Sequence, residues 1–407
     1  MTQMEETHTQ AGVFLELRQR LQSGLLVLRA DVVGDHSEVT VSGGDASIRI
    51  ATPSGALCVE LPPGVALVEG SCREASRAPG EGLHLRLRLQ VDKHTETPGT
   101  VVTKMRVEKS YGFRCQRCAE RVLTERVFQR VLPLPNGNWN ALVDDWCCHA
   151  DPFANRRLLP RQGDCLLGDT YFLLLRDGEC DRTLRQELVS AHVDAGHAHA
   201  HAHAQDSGQK PSRLVSVLCR ACDAVLGESV SAGTLKLYIT ELIVTQGDED
   251  REDDIIKQDR GLFLERTVAA RLVELSSTQS MFRFALQTPN GKAFILLWLL
   301  NADSLVASFS LPVVSGDASI SPGDGVRVGT EHPSCGASSA VKVLYLPCAP
   351  SMHQDITDAW EKDVGVHPLT LPQTTCQEVM CLLTASTSCL PPSLRQMNSY
   401  QVAFMRL

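Results

Sequence analysis

The chain has 407 residues, 15 of them cysteine, with a hydrophobic fraction of 43% and a formal net charge of −9. That length allows two or three domains with real cores, and the acidic balance excludes a broad electrostatic footprint for nucleic acid. The start, Met1-Thr2-Gln3-Met4-Glu5-Glu6, has neither the basic nor the apolar segment of a secretory signal. The best apolar run, 293–300, falls well short of the roughly 18 residues a membrane span needs. A cytoplasmic chain, also able to be nuclear, with no membrane contact and no direct nucleic-acid partner, is expected. In such a compartment an odd, scattered set of cysteines reads as reduced thiols, with metal binding for the paired ones.

In chain order, residues 13–18, 24–29, 47–50 and 83–91 read as strands, the last by clean period-2 alternation. Residues 1–110 form an expected β-rich N-terminal domain, ending in a polar loop at 92–100. The next region, 111–228, contains two C-x-x-C pairs, Cys115-Gln116-Arg117-Cys118 and Cys219-Arg220-Ala221-Cys222. Between them lies an arm at 131–161. Pro135 and Gly137 break the chain there, and Asn138 can cap a helix carrying Trp139, Leu142, Val143 and Trp146. That helix ends in Cys147-Cys148-His149, ahead of Pro152. Residues 194–212, with alternating histidines and then polar residues, read as a disordered loop.

The third expected region is 229–370. Residues 235–245 read as one strand, 248–254 as a solvated acidic loop, and 262–275 as a helix with apolar residues at 264, 268, 272 and 275. Strands at 281–286 and 294–300 are joined by the turn Pro289-Asn290-Gly291. A Gly/Ser/Asp-rich loop spans 316–338, and a strand follows at 341–346. In the last region, 371–407, a helix at 377–384 is expected to be capped by Thr374 or Thr375, before a terminal strand at 401–407. The fold class is α+β, mainly β: antiparallel sheets with a split, zinc-ribbon-like C-x-x-C site and a helical insertion.

Four thiolates presented by two C-x-x-C turns make a closed tetrahedral zinc site. Cys115, Cys118, Cys219 and Cys222 are therefore the expected ligands of a Zn2+ ion. The pairs stand about 100 residues apart where a zinc ribbon expects roughly 15–20, so either a ribbon has been split by an insertion or the pairs are unrelated. A redox role is disfavoured, because no βαβ pattern surrounds either pair. Cys147-Cys148-His149 keeps three readings open: a packed helical corner, a metal contact, and a nucleophile. A helix C-terminus disfavours the thiolate that the third requires. Trp139 and Trp146 mark a recognition surface or a small core. Near the C-terminus, Cys376 lies at an expected helix start, where a thiol ionises more easily, while Cys381 on the same helix is expected to pack. Cys58, Cys72, Cys165, Cys180, Cys335 and Cys348 read as small buried hydrophobes. No Walker loop, dinucleotide fingerprint or H-E-x-x-H is present.

Several motifs together resemble a known family. They are F-R-C-Q-R-C, L-P-L-P-x-x-x-W-x-x-L-V-x-x-W-C-C-H-x-D-P-F, G-D-x-Y-F-L at 168–173, L-C-R-A-C-D-x-x-L-G, I-L-L-W-L-L-N-x-D-S-L at 295–305, A-V-K-V-L-Y at 340–345, W-E-x-D-x-x-V-H-P-L-T-L-P and M-N-S-Y-Q-V-A-F. On these the chain resembles the HECT-like ubiquitin-conjugating-enzyme (E2)-binding family over nearly its whole length. The resemblance implies an E3 ubiquitin-protein ligase that accepts ubiquitin from an E2 and passes it to substrates such as cyclin B. It leaves Cys376 and Cys389 as thioester candidates in the HECT-like segment, and puts the E2 contact near 259–284, with Leu264, Val268, Leu272 and Leu275. The W-C-C-H segment also resembles a motif in which a cysteine enters the two-metal centre of a metallo-β-lactamase-type RNA endonuclease. That likeness implies that Cys148 or Cys147, with His149 beside them and Trp139 and Trp146 as anchors, inhibits the endonuclease of messenger-RNA 3′-end cleavage. The alternative is a non-catalytic binding protein or chaperone of that endonuclease with no ligase chemistry.

Overall fold

Alternating apolar residues at 83, 85, 87 and 89 give one buried face to the strand Gly82–Val91, and the same logic builds most of the computed structural model. It describes residues 12–33, 39–44, 46–52, 55–78, 82–92, 99–135, 158–188, 215–247, 259–309, 334–349 and 353–407. The described residues are mainly β, in four largely antiparallel sheets, with few helices. No described helix is long and apolar enough to cross a membrane.

The N-terminal strands are β1 (Val13–Arg18), β2 (Ser23–Leu28), β3 (Thr40–Gly44), β4 (Ser47–Thr52), β5 (Gly55–Glu60), β6 (Val65–Leu67), β7 (Arg73–Ala78) and β8 (Gly82–Val91). The cysteine-bearing region supplies β9 (Ser110–Cys115), β10 (Arg121–Val127), β11 (Arg130–Pro133), β12 (Asp164–Leu167) and β13 (Tyr171–Leu175). It continues with β14 (Leu184–Leu188), β15 (Val215–Cys219), β16 (Val225–Ser231), β17 (Thr234–Tyr238) and β18 (Leu242–Gln246). The C-terminal part has β19 (Arg283–Gln287), β20 (Ala293–Phe309), β21 (Ser334–Gly336), β22 (Ser338–Pro347), β23 (Val366–Thr370), β24 (Gln396–Met397) and β25 (Tyr400–Arg406). Three helices matter below: α1 (Arg260–Gln279), α2 (Gln354–Glu361) and α3 (Gln373–Cys389).

β1 hydrogen-bonds to β2 on one side and β20 on the other, so the N- and C-terminal thirds share one sheet of 11 strands. The smaller sheet β21-β5-β4-β3 packs against its N-terminal half through Leu15, Leu26, Ile48, Ile50 and Val59. Over the C-terminal half, α1 and α3 bury Leu264, Leu272, Cys376, Val379 and Leu383 against Ile295, Leu297, Val343 and Ala403. Trp360 of α2 lies on the other face, with Ala285 and Leu296. The expected turn at 289–291 is present: Asn290 Oδ1 accepts from the Thr288 hydroxyl and the Lys292 N–H, and Gly291 has φ +80°.

Beyond its two-residue pairing with β24, β25 shows how an edge is blunted. Thr387 donates to Val402 O, the Ser386 hydroxyl bonds both N–H and O of Phe404, and Glu265 accepts from Arg406 N–H. Side chains of α1 and α3 thus take the bonds a further strand would make.

Two expected elements differ. The single strand at 235–245 is two, β17 and β18, separated by a 3-10 turn at Ile239–Glu241 and belonging to different sheets. The cause is legible in burial: residues 238–242 are all buried, so period-2 alternation fails there. The helix expected at 377–384 begins at Gln373, with Pro372 at its N-cap and φ already at −53°. Thr375 is wholly buried within the first turn and caps nothing; its hydroxyl goes to Glu241.

Candidate metal centre and its anchorage

Each C-x-x-C pair forms the tip of a hairpin, and the two hairpins are built alike. In the first, Cys115 N–H donates to Glu120 O, Ala119 N–H to Cys115 O, and Gln116 N–H to Glu241 O. In the second, Cys219 N–H donates to Ala224 O, Asp223 N–H to Cys219 O, and Arg220 N–H to Thr183 O. The residue after the last cysteine is left-handed in both, with φ +59° at Ala119 and +58° at Asp223. The third strand of each set also matches: β18 places Leu242 opposite Cys115, and β14 places Leu184 opposite Cys219. A helical turn precedes each of these strands, Ile239–Glu241 and Cys180–Thr183. The two halves are thus built alike, with the cysteines where they meet.

The four sulfurs lie within 4.8 Å of one another. Cys115 Sγ is 3.7 Å from Cys222 Sγ, and Cys118 Sγ is 3.7 Å from Cys219 Sγ. Sulfurs held about 2.3 Å from a tetrahedral ion stand about 3.8 Å apart, so the donor set fits a metal. Cys115 and Cys219 are buried, and Cys118 and Cys222 exposed. Burial pushes the Cys118 thiol up to about 11 and raises Cys115 further. At Cys222 burial also pushes upward, but hydrogen bonds from Ala224 N–H and the neighbouring thiols outweigh it and the net shift is downward. The thiols of Cys115 and Cys118 therefore keep their protons at neutral pH unless a metal displaces them.

Among the described residues, only the first hairpin is gripped from outside its own sheet by a charged hub. Arg260, the first residue of α1, donates to Gln116 Oε1 (3.1 Å), to the Glu241 carboxylate (3.0 and 3.1 Å), to Glu378 Oε2 of α3 (2.8 Å) and to Thr240 O. Arg117 reaches Glu378 Oε1 at 2.5 Å, and Thr375 donates to Glu241 Oε1 at 2.6 Å. Glu241 is 3% exposed, so its charge is held by these partners rather than by water. A second set of bonds fastens the cysteine-bearing region to α1 and β23: Asp169 accepts from Arg271 and from His367 Nε2 (2.9 Å), and Thr170 donates to Thr370 O. Sequence reading missed Arg260, Glu241 and Glu378. The available signal was Thr240-Glu241, a polar pair inside an otherwise apolar run.

The other expected site residues fall as follows. Cys376 is fully buried, and burial pushes its thiol up to about 12. It is a core residue, unsuited to nucleophilic attack. Cys381, expected to pack, is exposed, as is Cys389. Leu264, Val268, Leu272 and Leu275 are buried against the sheet and present nothing to a partner. Their spacing recorded a core face. In the same segment Phe282 is 50% exposed. Cys165 and Cys180 are buried as expected, while Cys58, Cys72, Cys335 and Cys348 are half-buried. Trp139, Trp146, Cys147, Cys148, His149 and the His-rich stretch lie outside the described residues. The arm's flanks are described: β11 enters it and β12 leaves it, as adjacent parallel strands, with Arg130 paired to Asp164 at 2.7 Å.

Comparison with known proteins points one way. The family model described as HECT-like Ubiquitin-conjugating enzyme (E2)-binding matches residues 16–402. A relative from Bos taurus, named as an E3 ubiquitin-protein ligase, is 40% identical over 99% of this chain and 100% of its own length. Relatives of the same name from Mus musculus (39%; 97% of this chain, 98% of the relative) and Homo sapiens (38%; 99% and 100%) agree. No solved structure matches the chain significantly.

Proposed function

The chain belongs to the HECT-like ubiquitin-conjugating enzyme (E2)-binding family, and on that premise we propose that it is an E3 ubiquitin-protein ligase whose partners are an E2 and ubiquitin. The observation that carries this reading is the near-complete coverage of the family model, together with full-length relatives bearing the ligase name. The four-cysteine centre supports the fold around it. Its S4 donor set suits Zn2+, and a closed set of four protein ligands leaves no position for substrate, so its role is structural. Cyclin B is the proposed substrate, in a cytoplasmic and nuclear setting.

Within this reading Cys389 is the better acceptor thiol. It is exposed at the end of α3 and lines a groove of about 380 Å³ with Phe14, Leu390, Phe404 and the Glu265–Arg406 ion pair. Transfer would break the E2 thioester and form one on Cys389, with the E2 thiolate as leaving group. The E2 contact is assigned to the surface around Phe282, since the apolar positions of α1 face the core. The test is a single-turnover reaction with charged E2, resolved with and without reductant. A reducible ubiquitin adduct that disappears in Cys389→Ala and persists in Cys376→Ala supports the assignment. An adduct surviving joint replacement of Cys376, Cys381 and Cys389 sinks it. Phe282→Asp is expected to abolish E2 capture.

A second reading, inhibition of the 3′-end cleavage endonuclease, is favoured by the arm's attachment. Two adjacent parallel strands, β11 and β12, fasten both its ends, which suits a segment presented to a partner. A thiolate from Cys148 or Cys147 is a strong soft ligand for the endonuclease zinc and would displace the metal-held water. Cys148→Ala or Cys147→Ala should restore nuclease activity in the complex; if neither does, this reading fails.

A further inference from the structure

We infer that Arg260 is a positioning residue through which the metal-bearing hairpin holds the first half of α3, so that occupancy of the four-cysteine centre sets the exposure of that helix. The inference rests on the cluster being a metal centre. Gln116 and Arg117 are the two residues between the ligands Cys115 and Cys118, so a bound ion fixes both. Each makes one bond to the hub: Gln116 Oε1 accepts from Arg260, and Arg117 donates to Glu378. Arg260 then joins Gln116, Glu241 and Glu378 in a single guanidinium. Its planar fork of donors suits this use, which a lysine could not reproduce.

The far side of the hub is α3. Glu378 lies on it, and Thr375 ties its first turn to Glu241. Two arginines face two carboxylates in the set of Arg117, Arg260, Glu241 and Glu378, so the cluster balances only while it stays assembled. Loss of the ion would free the hairpin tip: Arg260 would lose its bond to Gln116, and Glu378 its bond from Arg117. The buried Glu241 keeps Arg260 and Thr375, so the loosening falls on Glu378 and the first turns of α3. Among the described residues the matching second hairpin has no such hub: Thr183 stands where Glu241 does, Arg220 is exposed, and Asp223 pairs with Arg185 of its own sheet.

Cys376 is a built-in reporter. It follows Thr375 and is fully buried, with Sγ 3.8 Å from both Gln287 O and Leu371 O. An alkylating reagent reaches it only when the start of α3 opens. The test is site-resolved thiol labelling of the full chain, metal-loaded and after chelation. Cys165, fully buried in the cysteine-bearing region, serves as the folding control. Chelation is expected to speed Cys376 labelling by at least about tenfold. In Arg260→Met, Cys376 should label that fast with the metal still bound and Cys165 still protected, and chelation should add little.

If Arg260→Met exposes Cys165 as well, Glu378→Gln takes its place, with an intermediate acceleration expected at full metal content and no acceleration overturning the inference. Labelling of the four ligand cysteines on chelation while Cys376 stays protected would overturn the relay and leave the metal centre standing. A chain that binds no metal when challenged with zinc would overturn the metal reading and this inference with it.

Discussion

The two C-x-x-C hairpins share their backbone bonds, left-handed residue and strand register, yet they sit in different surroundings. The first is clamped by Arg260, Glu241 and Glu378 to two helices, while the second shows Arg220, Ala221, Cys222 and Asp223 to solvent. The difference separates two jobs that a cysteine quartet can do. Holding an ion needs only the four sulfurs and their turns, which both hairpins supply alike. Passing the state of the ion to the rest of the molecule needs side chains between the ligands that reach a neighbour, and those are concentrated on the first hairpin.

The largest effect should ignore the difference. Cys115→Ser and Cys219→Ser each remove one of the four clustered thiols proposed to hold zinc, and structural zinc contributes on the order of 10 kcal/mol to folding. Both variants are expected to lose the metal and most of the thermal stability of the cysteine-bearing region, to a similar degree. Metal analysis and a melting curve check this. Retention of full metal by one variant alone would break the equivalence of the two hairpins.

The next effect should expose the difference. Glu241→Gln removes a buried carboxylate's charge from Arg260 and leaves Glu378 as that cation's one charge partner inside the hub. Breaking a buried pair costs about 3–5 kcal/mol, with the half-exposed Glu378 offsetting part of it. The equivalent position is Thr183, whose hydroxyl donates to Val122 O at 2.6 Å. Thr183→Val removes one neutral bond and should cost about 1 kcal/mol. Urea denaturation of the two variants measures the gap, and equal losses would mean that the hub adds nothing beyond an ordinary hydrogen bond.

A smaller, pH-dependent effect belongs to the flanks of the arm. Burial pushes the Asp164 carboxyl upward, but hydrogen bonds from Arg130 and from Arg161 N–H outweigh it, and the net shift is downward. A carboxyl lowered in the folded chain stabilises it above its unfolded value of about 3.9. That contribution fades as pH falls through the lower folded value. Asp164→Asn should therefore weaken the chain at neutral pH and flatten the acid limb of its stability curve below about pH 4. Parallel curves for the two proteins would remove Asp164 from the account. Arg130 is half-exposed, so solvent screening keeps this effect modest.

Much of this was legible in the sequence because it depends on short-range pattern. Period-2 alternation marked β4 and β8, and the Pro-Asn-Gly turn marked the hairpin between β19 and β20. The cysteine quartet was legible as one cluster able to hold a metal ion, since thiol pairs at that spacing carry their own geometry. What was not legible depends on distance in the chain. Arg260, Glu241 and Glu378 are far apart in sequence and become one cluster only once β18, α1 and α3 are packed. The apolar stripe of α1 was read correctly as a helix face, but periodicity reports that a face is buried and not whether its neighbour belongs to the same chain. Cys376 was misjudged for the same reason: a helix start favours a thiolate only where water or a charge can reach it, and here the sheet covers it.

The smallest effects return to the two hairpin tips. Arg117 and Arg220 both lie between the ligands, and both are exposed. Arg117 pairs with Glu378 across a partly exposed gap, with side chains 42% and 29% exposed, so solvent screens the pair. Arg117→Ala should cost at most about 1 kcal/mol. Arg220→Ala should stay within about 0.5 kcal/mol, the range of an exposed substitution outside a network. The ratio matters more than either value, because both changes remove an arginine from between the cysteines of matching turns, Arg220 at the place of Gln116 and Arg117 one residue later. A measurable deficit for Arg117→Ala alone, accompanied by faster labelling of Cys376, would locate the asymmetry in the link to α3. A larger loss from Arg220→Ala would mean that the second hairpin has a partner of its own, and that its exposed face, not the hub, is where the two halves of the metal centre diverge.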